Sequence, residues 1–386
     1  MKKRNRSGIA RPFDSGPRGW LYFDANSIGA MPKSAPARLA RLLAQWRKLR
    51  RRGWSDADWL DAPRRLGDKL APVIGARKGT VAVGDSTSVN LHKALEMAVT
   101  MASTRRPRRT EILSESGTFP TDLYIAENVA RKHGLKLKLV ENPAQIESAI
   151  GPRTAVVYLS HTDYRTSYRH DLRAVTRLAH ARGALTVWDL SHSAGAVPTD
   201  LAKGNADFAV GCGYKYLCGG PGAPGYLYVA PRLQTKAVPA IQGWFGHAAP
   251  MEFETRFRPA PGVQRHVVGT PAVSGNVLLE AALDVFSRTD LPQLFQRHIN
   301  LSQLLVALAP KELELVSPRD PRQRGGFVAF RCRNAKKLVS ALERRRVVAS
   351  SRPPDIVRFG LSPLYHREAD VRELARRLAN ALSDKR

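Results

Sequence analysis

Cysteine is scarce in this chain, which has three such residues, Cys212, Cys218 and Cys332, among 386. Three thiols cannot all pair, and none stands at metal-ligand spacing to a second Cys or to a pair of His residues. This argues against an exported protein stapled by disulfides and against a zinc site. We expect reduced, structural thiols, no metal ion and a cytoplasmic protein.

Long apolar runs are also missing. No stretch approaches the roughly 20 consecutive apolar residues of a membrane-spanning helix. The first residues, MKKRNRSG, resemble the start of a signal peptide, but IARPFDSGPRGW follows where an apolar segment should lie. We therefore expect no membrane association. Apolar residues still make up 43% of the chain, enough to bury the core of a large domain and a smaller one.

Acidic residues are few, because 33 Asp and Glu stand against 62 Lys and Arg, for a formal net charge of +29. Such an excess can indicate a nucleic-acid-binding protein. Here, however, the basic residues lie in scattered short runs such as 50–52, 105–109 and 344–346, without alternating aromatic residues. Zinc-finger, RNP and KH patterns are absent. We expect a basic surface that attracts anionic substrates and no nucleic-acid partner.

Short apolar runs alternate with helical stretches from about residue 66 to residue 230. This alternation predicts an α/β domain with a mostly parallel sheet, which would bind its ligand at the carboxyl ends of the strands. The predicted strands are Val81–Val83, Ala155–Leu159, Ala184–Trp188 and Phe208–Val210. The predicted helices between them are Val89–Met101, Asp122–Lys132 and Asp171–Arg182.

Smaller units flank this region. Residues 1–20 are basic, rich in Gly and Pro, and predicted to be loose. A helix is predicted from Ala35 to Arg51, followed by a turn or loop at Gly53–Asp56. Further on, the pattern predicts a helix at Val277–Ser287, strands at Gly326–Phe330 and Ile356–Phe359, and a closing helix at Glu368–Leu382. We predict an N-terminal segment at 1–65, a large α/β domain at 66–270, and a linker helix with a small α+β domain at 271–386.

Asp189 stands at the end of a predicted buried strand. An unpaired carboxylate there would be costly, so it needs a cationic partner or hydrogen-bond donors. One candidate partner is a pyridinium nitrogen, which a carboxylate keeps protonated so that the ring can take up electrons from a substrate. The N-cap of a helix at a strand–loop–helix junction explains this residue equally well.

Lys215 follows the next predicted strand, within the glycine-rich run 211–222. A lysine amine of lowered pKa can form a Schiff base and then move protons, and glycines let the backbone approach a ligand closely. A lone lysine is more often a solvated surface charge. Asp189 at the end of another strand reverses that balance. The pair predicts a pyridoxal-phosphate (PLP) enzyme, with Lys215 holding the cofactor.

The phosphate of such a cofactor is expected at the N-terminus of a helix. Residues 84–90 offer a glycine turn, hydroxyl groups including those of Thr87 and Ser88, and then a predicted helix. The motif is weak alone, since Ser and Thr are ordinary helix caps. Phe119 is a candidate for stacking on the cofactor ring, and its alternative is a core phenylalanine.

These segments together resemble the kynureninase branch of the fold-type I PLP enzymes, over most of the chain. That architecture has a large α/β domain with a mostly parallel sheet and a smaller α+β C-terminal domain. The segments that carry the resemblance are Phe23–Gly29, Ser88–His92, Phe119–Asp122, Asp189–His192, Tyr214–Leu217 and Gly243–His247. The first and last of them separate kynureninases from cysteine desulfurases and class V aminotransferases.

The resemblance implies a role for each matching residue. Lys215 would carry the Schiff base, Tyr214 would relay a proton, and Asp189 would pair with the ring nitrogen. The cofactor would also contact Thr87, Ser88, Phe119, Asp122, Ser160, His192 and Tyr214, with Trp244 and Thr270 reaching in from the second subunit of a homodimer. Arg358 would hold the substrate carboxylate with its bidentate guanidinium. The further substrate-contacting candidates are Asn26 and Trp54.

The implied reaction is hydrolysis of L-kynurenine, or of its 3-hydroxy form, to an anthranilate and L-alanine by Cβ–Cγ cleavage. The resemblance thereby implies a role in tryptophan catabolism and NAD biosynthesis. Two positions depart from the family pattern. Thr270 stands where some members have Asn, and Trp54 stands where others have a substrate-stacking His. Both concern the aromatic end of the substrate, so they affect which ring is accepted and leave the reaction type alone.

Two alternatives stay open at this point. Another class V PLP enzyme, such as a cysteine desulfurase or an aminotransferase, would share most of the motifs. A desulfurase needs a reactive Cys on a mobile loop, and Cys332 sits on a strand-like stretch. The second alternative is a non-catalytic nucleic-acid-binding protein of the same fold. The presence of both Asp189 and Lys215 argues against it.

Overall fold

The computed structural model describes residues 12–14, 16–104 and 108–383. The strands in them are β1 Phe13–Asp14, β2 Leu21–Tyr22, β3 Met31–Pro32, β4 Val81–Val83, β5 Glu111–Glu115, β6 Lys136–Val140, β7 Thr154–Ser160, β8 Leu185–Asp189, β9 Phe208–Cys212, β10 Gly225–Val229, β11 Glu314–Leu315, β12 Phe327–Arg331, β13 Val347–Val348, β14 Ser350–Arg352 and β15 Ile356–Gly360. The α-helices are α1 Ala35–Leu49, α2 Gly53–Asp56, α3 Ala62–Leu70, α4 Thr87–Ser103, α5 Pro120–Lys132, α6 Ile146–Ala149, α7 Leu172–Ala181, α8 Val273–Phe286, α9 Leu291–Leu308, α10 Ala335–Arg344 and α11 Glu368–Ser383.

The central sheet has seven strands in the order β4-β10-β9-β8-β7-β5-β6. Strand β10 runs antiparallel to both of its neighbours, and the other pairs are parallel. Strands β7, β8, β9 and β10 are buried over their whole length, as is typical of sheets covered on both faces. The predicted α/β class with a mostly parallel sheet is confirmed. Because β4 and β9 are both antiparallel to β10, they run in the same direction as each other. Their carboxyl ends therefore lie at one edge of the sheet.

A second, antiparallel sheet lies in the C-terminal part, in the order β11-β12-β15-β14. Its core includes Val328, Phe330, Val357 and Phe359 and also takes in Phe23 from the N-terminal segment. That segment is attached through the parallel pair β2–β13 and a bridge between residues 24 and 360. The N-terminal segment therefore packs against the C-terminal part, and the bridge to residue 360 brings residues 24–29 to β15.

Two predictions about the N-terminal segment need correction. Gly53–Asp56 forms the one-turn helix α2 and is not a loop. Gly53 packs so closely on Trp59 that a Cβ at this position would lie 2.3 Å from the indole ring. An ion pair between Arg52 and Asp56 spans the helical turn. Residues 1–11 and 15 lie outside the described residues, but Phe13 is buried and β1 pairs with β3. This part of the start is ordered because Phe13 packs against the Tyr365 ring.

The other predicted elements agree with the structure to within a few residues. The division at residues 65 and 270 stays a prediction. Among the described helices, none is both long and apolar enough to span a membrane.

Candidate active site

The carboxyl ends of six strands, β4, β5, β6, β7, β8 and β9, lie at one edge of the central sheet. Most of the predicted site residues follow these ends directly. Ser160 and Asp189 are the last residues of β7 and β8 and are partners in register, and both are buried. Lys215 follows the end of β9. The fold thus collects side chains from distant parts of the sequence at one place, as open α/β sheets do for a ligand.

Asp189 is buried at the end of β8 and is bound by its own chain. Its Oδ1 accepts hydrogen bonds from the backbone N–H and the hydroxyl of Ser191, at 2.9 and 2.6 Å. Residues 190–196 form turns without a regular helix, so the N-cap interpretation is wrong. Burial raises the pKa of Asp189, and the Ser191 bonds and the charge of Lys215 oppose that rise. A cation at this carboxylate would favour its ionised form.

Lys215 lies next to a buried imidazole. Its Nζ is 3.3 Å from Nε2 of His192 and 5.7 Å from the centroid of the Tyr214 ring. Burial, followed by the charge of Lys215, lowers the pKa of His192 well below its usual value, so the ring is neutral at physiological pH. Burial raises the pKa of Tyr214, which keeps its phenol protonated. The amine therefore has a neutral ring and a proton donor as neighbours.

The N-terminal run 26–29 packs directly on the Lys215 loop. The Gly29 N–H donates to the Tyr214 carbonyl at 2.8 Å. A Cβ at Gly29 would lie 2.3 Å from the Lys215 carbonyl oxygen, so only glycine fits. This contact explains the glycine of the motif Phe23–Gly29 in physical terms.

Asp122, on α5, forms a buried pair with Tyr158 of β7. The Tyr158 hydroxyl donates to Asp122 Oδ2 at 2.7 Å. Burial, and after it the charge of Asp189, raises the pKa of Asp122 to about 7. Two carboxyl groups therefore share this edge of the sheet with Lys215. Tyr158 was not predictable as a site residue, because a tyrosine inside an apolar strand carries no sign of its partner.

The turn at residues 84–88 lies beside the Lys215 loop. The Gly225 N–H donates to the Asp85 carbonyl at 2.7 Å, and Gly225 pairs in register with Cys212 at the end of β9. A Cβ at Gly225 would lie 2.9 Å from the Thr87 nitrogen, so the turn seats closely on β10. Helix α4 begins at Thr87, and the first N–H groups of a helix have no partner within it. An anion can be bound there.

Arg358, on β15, has no exposed surface (0%), so it is not a surface charge. Its Nη1 donates to the Tyr164 carbonyl at 2.5 Å, and its Nη2 donates to the Ser350 hydroxyl at 3.0 Å. Both acceptors are neutral. Burial lowers the pKa of Arg358 to about 10, which leaves it cationic at neutral pH. The Phe327 ring lies 5.4 Å from the guanidinium carbon and 6.1 Å from the His192 ring, which links Arg358 to the Lys215 cluster.

Asn26 is buried beside Arg358. Its Nδ2 donates to the same Ser350 hydroxyl, at 3.3 Å. Its Oδ1 is buried without a hydrogen-bond partner among the described residues. A buried acceptor of this kind commonly has a ligand or water as its partner.

Four predicted residues lie apart from this cluster or at its border. Phe119 is 43% exposed, and its ring meets that of Tyr164 at 5.2 Å, so it is not a core phenylalanine. Trp244 is 42% exposed and Thr270 is exposed. Trp54 packs edge-on against Trp59, 5.5 Å away. Within one chain, the ring contacts of Trp54 and Trp244 are with their own local segments.

The residues of this site fit PLP. The buried carboxylate of Asp189 suits a ring nitrogen, Lys215 suits an aldehyde, and the start of α4 suits a phosphate.

Cys332, in contrast, lies away from this site. It follows the far end of β12, about 17 Å from Phe327 along the strand at 3.4 Å per residue. It is not placed to act beside Lys215.

Comparison with known proteins defines the family. A model of the kynureninase C-terminal domain matches residues 294–378, and one of the Cys/Met metabolism PLP-dependent enzymes matches 94–224. A kynureninase of Pseudomonas fluorescens is 42% identical over 96% of this chain and 91% of its own length. A kynureninase of Burkholderia pseudomallei is 41% identical over 95% of this chain and 90% of its own. The chain belongs to the kynureninase family.

Solved structures show that this kynureninase-family chain has the fold of class V PLP enzymes. A C-DES mutant with glycine covalently linked to its PLP cofactor superimposes with a TM-score of 0.80 at 19% identity, covering 94% of this chain and 97% of that one. The cysteine desulfurase CsdA of Escherichia coli gives the same TM-score and identity, covering 96% and 97%. At this identity the likeness shows the fold alone. Together with the kynureninase relatives and the match to a PLP-dependent family model, this fold identifies the chain as a PLP-dependent enzyme of fold type I.

Proposed function

We propose that the chain hydrolyses L-kynurenine, or 3-hydroxy-L-kynurenine, to an anthranilate and L-alanine at the Lys215 site. One observation carries the proposal: the buried, cationic Arg358 lies next to the edge of the sheet where Lys215 and Asp189 meet. A substrate with an α-amino and an α-carboxyl group needs a site where its amine reacts, which is that of Lys215, and a cationic group that binds its carboxylate. The kynureninase relatives support cleavage of the Cβ–Cγ bond.

Three groups of residues would hold the cofactor. When bound, PLP supplies an aldehyde that takes up amines and a ring that accepts electrons from the substrate. Lys215 would hold the aldehyde carbon, and Asp189 would hold the proton on the ring nitrogen. The hydroxyls of Thr87 and Ser88 would hold the phosphate with the start of α4, with Ser160, Asp122, Phe119 and His192 around the ring.

Lys215 and Tyr214 would transfer the protons of the reaction. The substrate amine would first take the place of Lys215. The freed Lys215 amine would then accept the α-proton of the substrate at Nζ. The neutral ring of His192, 3.3 Å away, leaves this amine without a second positive charge beside it. Tyr214, kept protonated by its raised pKa, would give a proton at its phenol oxygen to the alanyl carbon after cleavage.

The substrate carboxylate would be bound by Arg358. A buried guanidinium whose hydrogen-bond acceptors are neutral, with Asp24 acting on it only through its charge, is stabilised when a carboxylate binds it directly. Asn26 shares the Ser350 hydroxyl with Arg358 and would contact the same end of the substrate. Trp54 would contact the aromatic end.

We also propose a homodimer with shared active sites. Residues 238–253 expose several large apolar side chains, among them Val238 (61%), Trp244 (42%) and Phe253 (77%). Exposed apolar surface of this kind often belongs to an interface. Trp244 and Thr270 would then reach the cofactor of the neighbouring subunit. A cytoplasmic location and a role in tryptophan catabolism toward NAD belong to the same proposal.

Incubation of the PLP-loaded protein with each substrate tests the reaction. Anthranilate fluorescence and alanine should rise together in equal amounts, and Lys215→Ala should abolish both. Alanine released from L-cysteine, without anthranilate from either kynurenine, would instead indicate a desulfurase.

A further inference from the structure

Lys93 is a buried lysine on α4 that the proposed reaction leaves without a role. We propose that it is a positioning residue, which holds the turn at 84–88 in the conformation that binds the PLP phosphate. The inference rests on the proposed phosphate site at Thr87 and Ser88. Lys93 would act through the turn, because its own ammonium is surrounded by protein acceptors.

The ammonium of Lys93 has three acceptors from three segments. Its Nζ donates to Asp85 Oδ2 at 2.5 Å, to Asn90 Oδ1 at 3.2 Å and to the His266 carbonyl at 2.9 Å. Its exposed fraction is 3%, and lysine is almost never buried to that extent unless it is paired. All three donors of the ammonium are therefore used to join the turn, the first part of α4 and the segment at 262–266.

Asp85 is the residue of the turn that needs this support. Its φ is +53°, in the left-handed region that residues other than glycine adopt infrequently, Asp and Asn more often than the others. Its side chain bonds to Lys93 while its carbonyl accepts from Gly225, so the residue is fixed at both ends. Without Lys93, Asp85 can relax to negative φ. That relaxation would move the next residues, whose hydroxyl and N–H groups form the phosphate site.

The surroundings of Lys93 favour this role over direct contact with the cofactor. Burial lowers the pKa of Lys93, and the bond to Asp85 opposes that shift. The adjacent His266 ring is buried, and its two nitrogens lack hydrogen-bond partners among the described residues. Asp85 is therefore the anionic partner of Lys93, and Lys93 in turn keeps Asp85 in place.

Lys93→Met tests the inference, since it keeps an unbranched side chain only one atom shorter and removes the charge. Apoenzyme should be titrated with PLP and, separately, with pyridoxal, which lacks the phosphate, by quenching of tryptophan fluorescence. The Kd for PLP should rise roughly ten-fold, as expected when a charged hydrogen bond that holds a binding loop is lost. The Kd for pyridoxal should change less than two-fold. Lys69→Met is the matched control, because Lys69 pairs with Glu280 and Asp284 on α8, and both Kd values should stay unchanged.

Equal losses of PLP and pyridoxal affinity would show a merely structural role and overturn the inference, as would no loss of either. If Lys93→Met does not fold, Asp85→Asn replaces it, because asparagine tolerates positive φ and carries no charge. It should produce the same selective loss for PLP, to a smaller degree. Thr87→Ala with Ser88→Ala tests the phosphate site itself. If this double variant keeps its PLP affinity, the proposed phosphate site is wrong, whatever Lys93 does.

Discussion

Arg358→Ala is the substitution with the largest expected effect on substrate binding. The change removes the buried guanidinium that would bind the substrate carboxylate. Losing one side of a charge-assisted pair costs about 2–5 kcal/mol in kcat/KM, or roughly 30-fold to several thousand-fold at about 1.4 kcal/mol per ten-fold. Arg358→Lys should recover only part of this, since an ammonium does not reproduce the planar fork.

The same change also affects stability, and the assay has to separate the two effects. Arg358 donates to the Tyr164 carbonyl and to the Ser350 hydroxyl, so its removal takes a donor from each, although Ser350 still accepts from Asn26. The Tyr164 carbonyl left without this donor costs about 1–3 kcal/mol of unfolding free energy at most. Steady-state kinetics should therefore be measured below the Tm of each variant. The visible spectrum of the PLP-loaded protein should stay normal, because no proposed cofactor contact involves this side chain.

Arg331→Ala provides the control on the neighbouring strand. Arg331 is partly exposed and pairs with Glu314 and Asp355 at the surface, so its loss should change kcat/KM less than two-fold. If Arg358→Ala and Arg358→Lys both keep kcat/KM near that of the unchanged protein, the substrate carboxylate is held elsewhere. The role given to Arg358 would then be wrong.

Two further predictions concern the shared site and its pH dependence. Mixing Lys215→Ala with an inactive Trp244→Ala variant should restore part of the activity, because one mixed site has both residues intact. No recovery after verified subunit exchange would contradict a shared site. The folded-state pKa of Asp122 is raised to about 7. This residue therefore lowers the unfolding free energy of the apoprotein progressively as the pH rises from about 4 to 7, and it has no such effect below about pH 4. In denaturant unfolding, Asp122→Asn should therefore stabilise apoprotein at pH 8, by at most about 4 kcal/mol, and the gain should vanish near pH 4. An equal gain at both pH values would refute this reasoning.

The central sheet was predictable because its signals are local. A buried parallel strand is a short apolar run, and β4, β7, β8 and β9 each have one. Because Asp189 and Lys215 each follow such a run, the sequence alone predicts that both lie at one edge of the sheet. The direction of β10 was not predictable, since the sequence of a strand does not state which way it runs.

Long-range packing accounts for what the sequence did not indicate. The pair β2–β13 attaches residues 21–29 to the C-terminal sheet, and no periodicity connects two segments so far apart. Arg358 is in contact with both parts, because its Nη2 donates to Ser27 of the N-terminal segment and to Ser350 of β14. Lys93 was equally inconspicuous, since a lysine on a helix is normally a surface charge.

The identity of the lysine that carries PLP tests the account most directly. The protein should absorb visible light after addition of PLP, and reduction with borohydride followed by peptide mass spectrometry should find the cofactor on Lys215. Lys215→Ala should lose this label and its turnover, and it should still bind PLP through Asp189 and the turn at 84–88. A label on another lysine, or no visible absorbance after PLP is added, would contradict the assignment of Lys215 and with it the proposed site.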